Sequence, residues 1–178
     1  MEAEAQEKTK QKSSIWEFVR SIIIALLIVI PIRAWVAQPF IVQGNSMVPN
    51  FQHGEYLIID EFSYHFRKPE RGEVVVFRYP RQPSQFFIKR IIGLPGDKIE
   101  IKNGSVRINE SAFNETYLSP SLATAPDAST ILGVDEYFVL GDNREASADS
   151  RVWGNLKENL IVGKTLLRLW PLIRIGTL

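Results

Sequence analysis

A mainly antiparallel β-domain behind an N-terminal apolar helix is the fold class that this 178-residue sequence predicts. Three observations predict it: a long apolar run close to the N-terminus, a series of short β-branched and aromatic segments punctuated by Gly and Pro, and an Asn-Gly pair between two alternating runs.

Residues 1–14 are charged and without apolar periodicity, as in a short disordered tail. The run from Ser21 to Ile32 carries no charge, but as a helix it spans only about 18 Å, too short for a hydrocarbon core of about 30 Å. Extended to residues 15–37 it becomes long enough, with Glu17, Arg20 and Arg33 near its ends and Trp16 and Trp35 placed for the interfaces. It is expected to be a transmembrane anchor. Lys8, Lys10, Lys12 and Arg20 precede it, whereas after Arg33 no basic residue follows until Arg67. The positive-inside bias therefore puts the N-terminus in the cytoplasm and residues 38–178 on the extracytoplasmic side. A cleaved signal peptide is the competing reading, but cleavage after Ala37 would put bulky Trp35 where a small residue is wanted.

Strand signals follow in "EYLIIDEF" (55–62), "GEVVVFRYP" (72–80), "QFFIKRIIG" (85–93), "DKIEIKNGSVRIN" (97–109), "EYFVLGD" (136–142) and "LIVGKTLLRLWPL" (160–172). Asn103-Gly104, between Ile99/Ile101 and Val106/Ile108, is a type I′ hairpin signal. A curled antiparallel sheet or partial barrel over residues 38–178 is expected. Residues 109–130, rich in Ser, Thr, Ala, Asn and Pro, are expected to form an inserted surface loop or flap.

Lysine plus arginine (21) nearly balance the acids (20), so nothing points to a polyanionic partner such as nucleic acid. Without cysteine and with two histidines, neither disulfides nor a multi-His or thiolate metal centre is expected, and no cofactor is implied.

Ser46, in "QGNSMVPNF", is a candidate nucleophile, and a serine hydroxyl needs a base. His53 and His65 both fall in polar turns. Lys89 sits instead among Phe86, Phe87, Ile88, Ile91 and Ile92, with Arg90 alternating to the other strand face. Burial disfavours an ammonium. From a reference pKa near 10.4 about 0.04% of lysine is neutral at pH 7, whereas a shift to about 8 leaves roughly 10% able to accept a proton.

"GNSMVP" (44–49), "KRIIGLPGD" (89–97) and "GDNREASADSRVWG" (141–154), in that order behind an apolar anchor, resemble the boxes of type I signal peptidases. The resemblance covers most of the chain from residue 38 and thins over 105–135. It implies Ser46 as nucleophile, Lys89 as general base and Ser147 as the hydroxyl that orients the lysine amine. Asp142, Arg90, Asp149 and Arg151 match charges that hold the third box in place. Some members add an oxyanion-hole hydroxyl two positions before the nucleophile, where this chain has Gly44, so the backbone N–H of Ser46 remains the expected donor. By the same resemblance, Phe40, Val42, Gly44, Met47 and Ile88 line shallow pockets for small residues, giving an Ala-x-Ala preference in preprotein signal peptides that bind as an added strand. The resemblance thus implies removal of signal peptides at a plasma membrane or an energy-transducing one such as the thylakoid, beside the lipid bilayer and the translocation machinery.

Eight residues between Ala37 and Ser46 reach at most about 30 Å, which keeps the site near the membrane surface. Ala123-Thr124-Ala125 matches the substrate pattern within the chain itself, and Pro126 after it is expected to disfavour self-processing. Two alternatives stand beside this reading. A self-cleaving repressor-type Ser/Lys peptidase would carry an N-terminal DNA-binding motif, and an inactive membrane-anchored binding module would not need Ser46, Lys89 and Ser147 intact.

Overall fold

The β-branched and aromatic runs fold as strands, and the pairing between them sets the architecture. The structure, a computed structural model, describes residues 16–27, 29, 37–119 and 122–177. Residues 16–27 form helix α1, whose apolar side chains, Trp16, Phe18 and Leu27 among them, are exposed. The expected tail (1–14) and much of the C-terminal half of the expected anchor (15–37) lie outside the described residues. Among the described residues no helix is long and apolar enough to cross a membrane. The chain divides into two units between residues 37 and 38.

The strands are β1 (Ala37–Ile41), which begins at the boundary, and, within the second unit, β2 (Tyr56–Asp60), β3 (Val74–Tyr79), β4 (Gln82–Gly93), β5 (Lys98–Lys102), β6 (Ser105–Ile108), β7 (Ser111–Ala112), β8 (Ala128–Ile131), β9 (Glu136–Leu140), β10 (Leu156–Lys157), β11 (Ile161–Trp170) and β12 (Gly176–Thr177). They make two open sheets and no closed barrel. The larger runs β1-β2-β11-β3-β4-β9-β10, with β12 also paired to β11, and the smaller runs β7-β6-β5-β8. The strand pairs with a defined register are antiparallel.

Strand β3 is central, and its unbroken run of valines suits a strand covered on both sides. Val74 and Val76 join a core with Val42, Met47, Phe51, Leu57, Ile59 and Ile88, while Val75 and Phe77 join another with Ile91, Tyr137, Val139 and Leu156. The Asn-Gly hairpin joins β5 to β6, with Lys102 opposite Ser105 and φ of +50° at Asn103 and +78° at Gly104. Both central residues of a type I′ turn need that positive φ, which Asn and Gly tolerate.

The 109–130 insert, expected as a surface loop or flap, is loop over most of its described length but joins the sheet at both ends. It supplies β7 and the start of β8 to the smaller sheet, and Thr124 is buried. It also reaches the third box. Glu115 and Thr124 bind the buried Arg144, the Arg151 guanidinium donates to the Ala125 carbonyl, and Asn50 Nδ2 donates to the Tyr117 carbonyl at 3.0 Å. A segment that must satisfy a buried guanidinium is fixed from both sides. Thr124 N–H also donates to the Gly104 carbonyl at 2.9 Å. Within Ala123-Thr124-Ala125, Thr124 is thus buried and paired, while the two alanines are exposed.

Candidate active site

The turn carrying Ser46 leaves β1 at Val42 and re-enters the sheet at β2, and two buried side chains after the serine anchor it. Met47 and Phe51 are 1% and 3% exposed, and Phe51 N–H donates to the Met47 carbonyl at 2.9 Å. Burying a Met or a Phe is worth about 1.5–3 kcal/mol each, enough to hold a short turn. Below it, Val42 N–H donates to the Glu55 carbonyl and Gly54 N–H to the Val42 carbonyl, both at 2.9 Å, closing the neck.

Strand β4 brings Lys89 to the same place. Lys89 Nζ lies 2.7 Å from Ser46 Oγ and donates to its neighbour's carbonyl, that of Ile88, at 2.8 Å. Lys89 is 4% exposed, and burial pulls its pKa from 10.5 down to about 8 against the opposing fields of Asp149 and Asp142. No carboxylate forms an ion pair with it among the described residues.

The third box follows β9 and closes the site. Asn143 N–H donates to the Ser46 carbonyl at 2.9 Å, and Asn143 Nδ2 to the Asn45 carbonyl at 3.1 Å. Gly141 stands where no side chain fits: a Cβ there would overlap Ser147 Oγ and lie 2.5 Å from both Ser147 Cβ and the Ser46 carbonyl. Ser147 Oγ is buried and makes no directed hydrogen bond, to Lys89 or to any other described group, although its hydroxyl favours the charged form of nearby Asp149. The expected hydrogen bond from Ser147 to the lysine amine is thus not formed in this structure.

The charged residues of the boxes form buried braces in place of surface ion pairs. Asp149 caps α2 (Ser150–Trp153), accepts from Gly141 N–H at 3.0 Å, and is gripped by Arg151 Nε and Nη2 at 2.8 Å each. Burial pushes the Asp149 carboxyl up, but Arg151 and the Gly141 N–H outweigh it and hold it below its ordinary value. Arg90 donates to both oxygens of Asp142 at 2.9 and 2.6 Å, with Asn50 Nδ2 on the same carboxylate at 2.8 Å. The Tyr117 ring covers the Arg90 guanidinium, 4.1 Å from its centroid.

Ser46 and Lys89 open into a cleft of about 840 Å³, whose walls include Phe40, Val42, Gly44, Ile88, Ala146 and Ala148. Met47, expected to line it, does not. Its side chain turns into the core beneath, because the residue after Ser46 is where the turn needs an apolar anchor. Gly44 has φ +83°, and the space a Cβ would occupy there has no neighbour within 4 Å, so backbone conformation, and not crowding, excludes a serine hydroxyl at that position. Its N–H is engaged by His53 Nδ1 at 3.1 Å, while Ser46 N–H makes no hydrogen bond among the described residues. Gly141, Asn143, Asn50 and Tyr117 escaped sequence reasoning. Only Gly141 and Asn143, inside the "GDN" run, had a local signal.

A serine thus stands in contact with a buried lysine of lowered pKa at the edge of an open cleft, and comparison with known proteins gives the family. The chain matches the family described as "Signal peptidase, peptidase S26" over residues 15–170. It belongs to that family. The Signal peptidase I of Leptolyngbya laminosa is 34% identical over 183 residues, covering 98% of this chain and 89% of that one. The Signal peptidase I P of Bacillus subtilis subsp. natto is 37% identical over 179 residues, covering 95% and 96%. A solved signal peptidase I from Enterococcus faecalis V583 is 32% identical, with a TM-score of 0.49, over 55% of this chain and 97% of that one. The chain is accordingly a serine endopeptidase of the peptidase S26 family.

Proposed function

We propose that this peptidase removes N-terminal signal peptides from translocated preproteins by a Ser46/Lys89 dyad, a reading carried by the 2.7 Å contact between a buried lysine amine and the serine hydroxyl. Neutral Lys89 Nζ takes the Ser46 Oγ–H proton as Oγ bonds to the scissile carbonyl carbon, and the resulting oxyanion accepts from Ser46 N–H. Collapse breaks the C–N bond, and the Lys89 ammonium returns its proton to the leaving amine. Lys89, neutral again, then takes a proton from water as its oxygen bonds to the acyl carbon, and returns that proton to Ser46 Oγ as the C–Oγ bond breaks. Ser147, whose buried hydroxyl has no partner of its own among the described residues, is the residue assigned to orient the lysine, and Asp142, Arg90, Asp149 and Arg151 keep the third box against the serine turn.

The substrate lies extended in the cleft. Phe40, Val42 and Ile88 shape its apolar pockets, Gly44 lets the chain pass closely, and an Ala-x-Ala segment fits their shallow walls. Residues 15–37 serve as a single-pass anchor with a short cytoplasmic tail, and the exposed apolar side chains of α1 support it, since such a surface needs lipid or protein cover. The peptidase domain, residues 38–178, then faces the extracytoplasmic side near the translocation machinery, at a plasma membrane or an energy-transducing membrane.

Cleavage of a preprotein whose signal ends in Ala-x-Ala tests the mechanism. Ser46→Ala and Lys89→Ala should each lower the rate by about 10³-fold or more with the fold intact. Full activity in either variant removes the dyad.

A further inference from the structure

Behind the serine turn lies a second cavity, of about 530 Å³, whose wall is dominated by cations. Arg71, Arg90, Lys164, Arg168 and Arg174 line it against one lining carboxylate, Glu73. Arg71 pairs with Asp97 at 2.8 Å and Arg90 with Asp142 at 2.6 Å, both acids standing outside the wall. Lys164 is 3.8 Å from Glu73, which also holds Arg67. Arg168 and Arg174 share the single buried carboxylate of Glu55, at 3.0 and 2.7 Å.

Two guanidiniums on one carboxylate leave a positive charge unanswered. Their other contacts are uncharged: Arg168 Nη2 donates to the Asn50 carbonyl at 2.6 Å and its guanidinium lies 5.2 Å from the Phe51 ring centroid, and Arg174 Nη2 donates to the Pro49 and Asn50 carbonyls at 3.3 Å. Arg168 is 7% exposed, and its Nε, though close to Glu55, makes no directed hydrogen bond. Burial and the neighbouring Arg174 both disfavour its charge. The side chains of Arg174, Arg71 and Lys164 remain a quarter or more exposed, which leaves the cavity open to a solute.

We propose that this cavity binds a phosphate-class oxyanion, with Arg168 and Arg174 presenting guanidinium N–H groups and Lys164 a point charge. Oxygens of such an anion suit the forked donors of arginine, and its charge offsets the repulsion between the two guanidiniums. A lipid headgroup and free phosphate share this chemistry. The site is independent of the Ser46/Lys89 reading, although Asn50 and Phe51 of the serine turn form part of its wall.

Calorimetric titration of the full-length protein with inorganic phosphate, at ionic strength held constant with chloride, tests it. Saturable binding is expected, weakened roughly fivefold by Lys164→Gln and strengthened by Glu73→Gln, with phosphate raising the melting temperature. The same titrations with phosphatidylglycerol and phosphatidylcholine vesicles separate the sources. Phosphate displacing a selective interaction with phosphatidylglycerol supports a headgroup site, and phosphate binding without vesicle selectivity supports a free anion. Absence of saturable phosphate binding, or binding indifferent to Lys164→Gln, overturns the proposal.

Discussion

Lys89 and Arg90 are consecutive cations on one strand, and the fold treats them oppositely. Lys89 is almost fully buried, with a serine hydroxyl and a carbonyl as hydrogen-bond partners, so burial lowers its pKa to about 8. Arg90 meets both oxygens of Asp142, the Gly72 carbonyl at 2.8 Å and the Tyr117 ring. Strand alternation sends the two side chains toward different cavities. Where the carboxylates stand then decides which cation is a structural brace and which is left able to give up its proton.

Removing the carboxylate from Arg90 is the strongest way to break that contrast. Asp142→Ala leaves a largely buried guanidinium without its partner and should destabilise the domain by about 3–5 kcal/mol, read as a lower denaturant midpoint. An unchanged midpoint would mean that Arg90 is solvated and no brace. Lys89→Met should move stability the other way while abolishing cleavage. At pH 7 it removes a cation whose folded pKa lies near 8 instead of 10.5, a gain of up to about 3 kcal/mol.

The same shift sets a pH window. Lys89 binds its proton more weakly folded than unfolded, so its contribution to stability is full above pH 10.5, falls as pH drops toward about 8, and is flat below. The stability difference between wild type and Lys89→Met, measured across that range, should trace this slope. The kcat/KM profile should rise along a limb centred near pH 8, and a limb near 10.5 would show an unperturbed lysine. The smallest effect belongs to Tyr117→Leu, which uncovers Arg90 at a cost of about 1 kcal/mol in stability and leaves the pH limb in place.

Much of the larger sheet was legible because a strand announces itself locally. "VVVF", "FFIKRII" and "YFVL" are runs whose β-branched and aromatic side chains suit a pleated, buried surface. The hairpin at Asn103-Gly104 was equally local, since φ preference belongs to those two residues. The insert was harder to place. Its polar composition suggested solvent, yet Glu115, Tyr117 and Thr124 are polar because they answer Arg144, Arg90 and Asn50 from elsewhere in the chain. Met47 misled for a related reason. Adjacency to Ser46 suggested the cleft, but the turn points consecutive side chains to different sides.

Residue type and near neighbours were enough for the strand-forming runs, the turn chemistry, the family boxes and the choice of Ser46 and Lys89 as candidates. Tertiary structure alone decided that Lys89 meets Ser46 across 43 residues, that Gly141 must be bare for Ser147 and the Ser46 carbonyl to approach, and that two arginines share Glu55. Those facts depend on register and on which distant groups are buried together, and both are set by the packed chain as a whole.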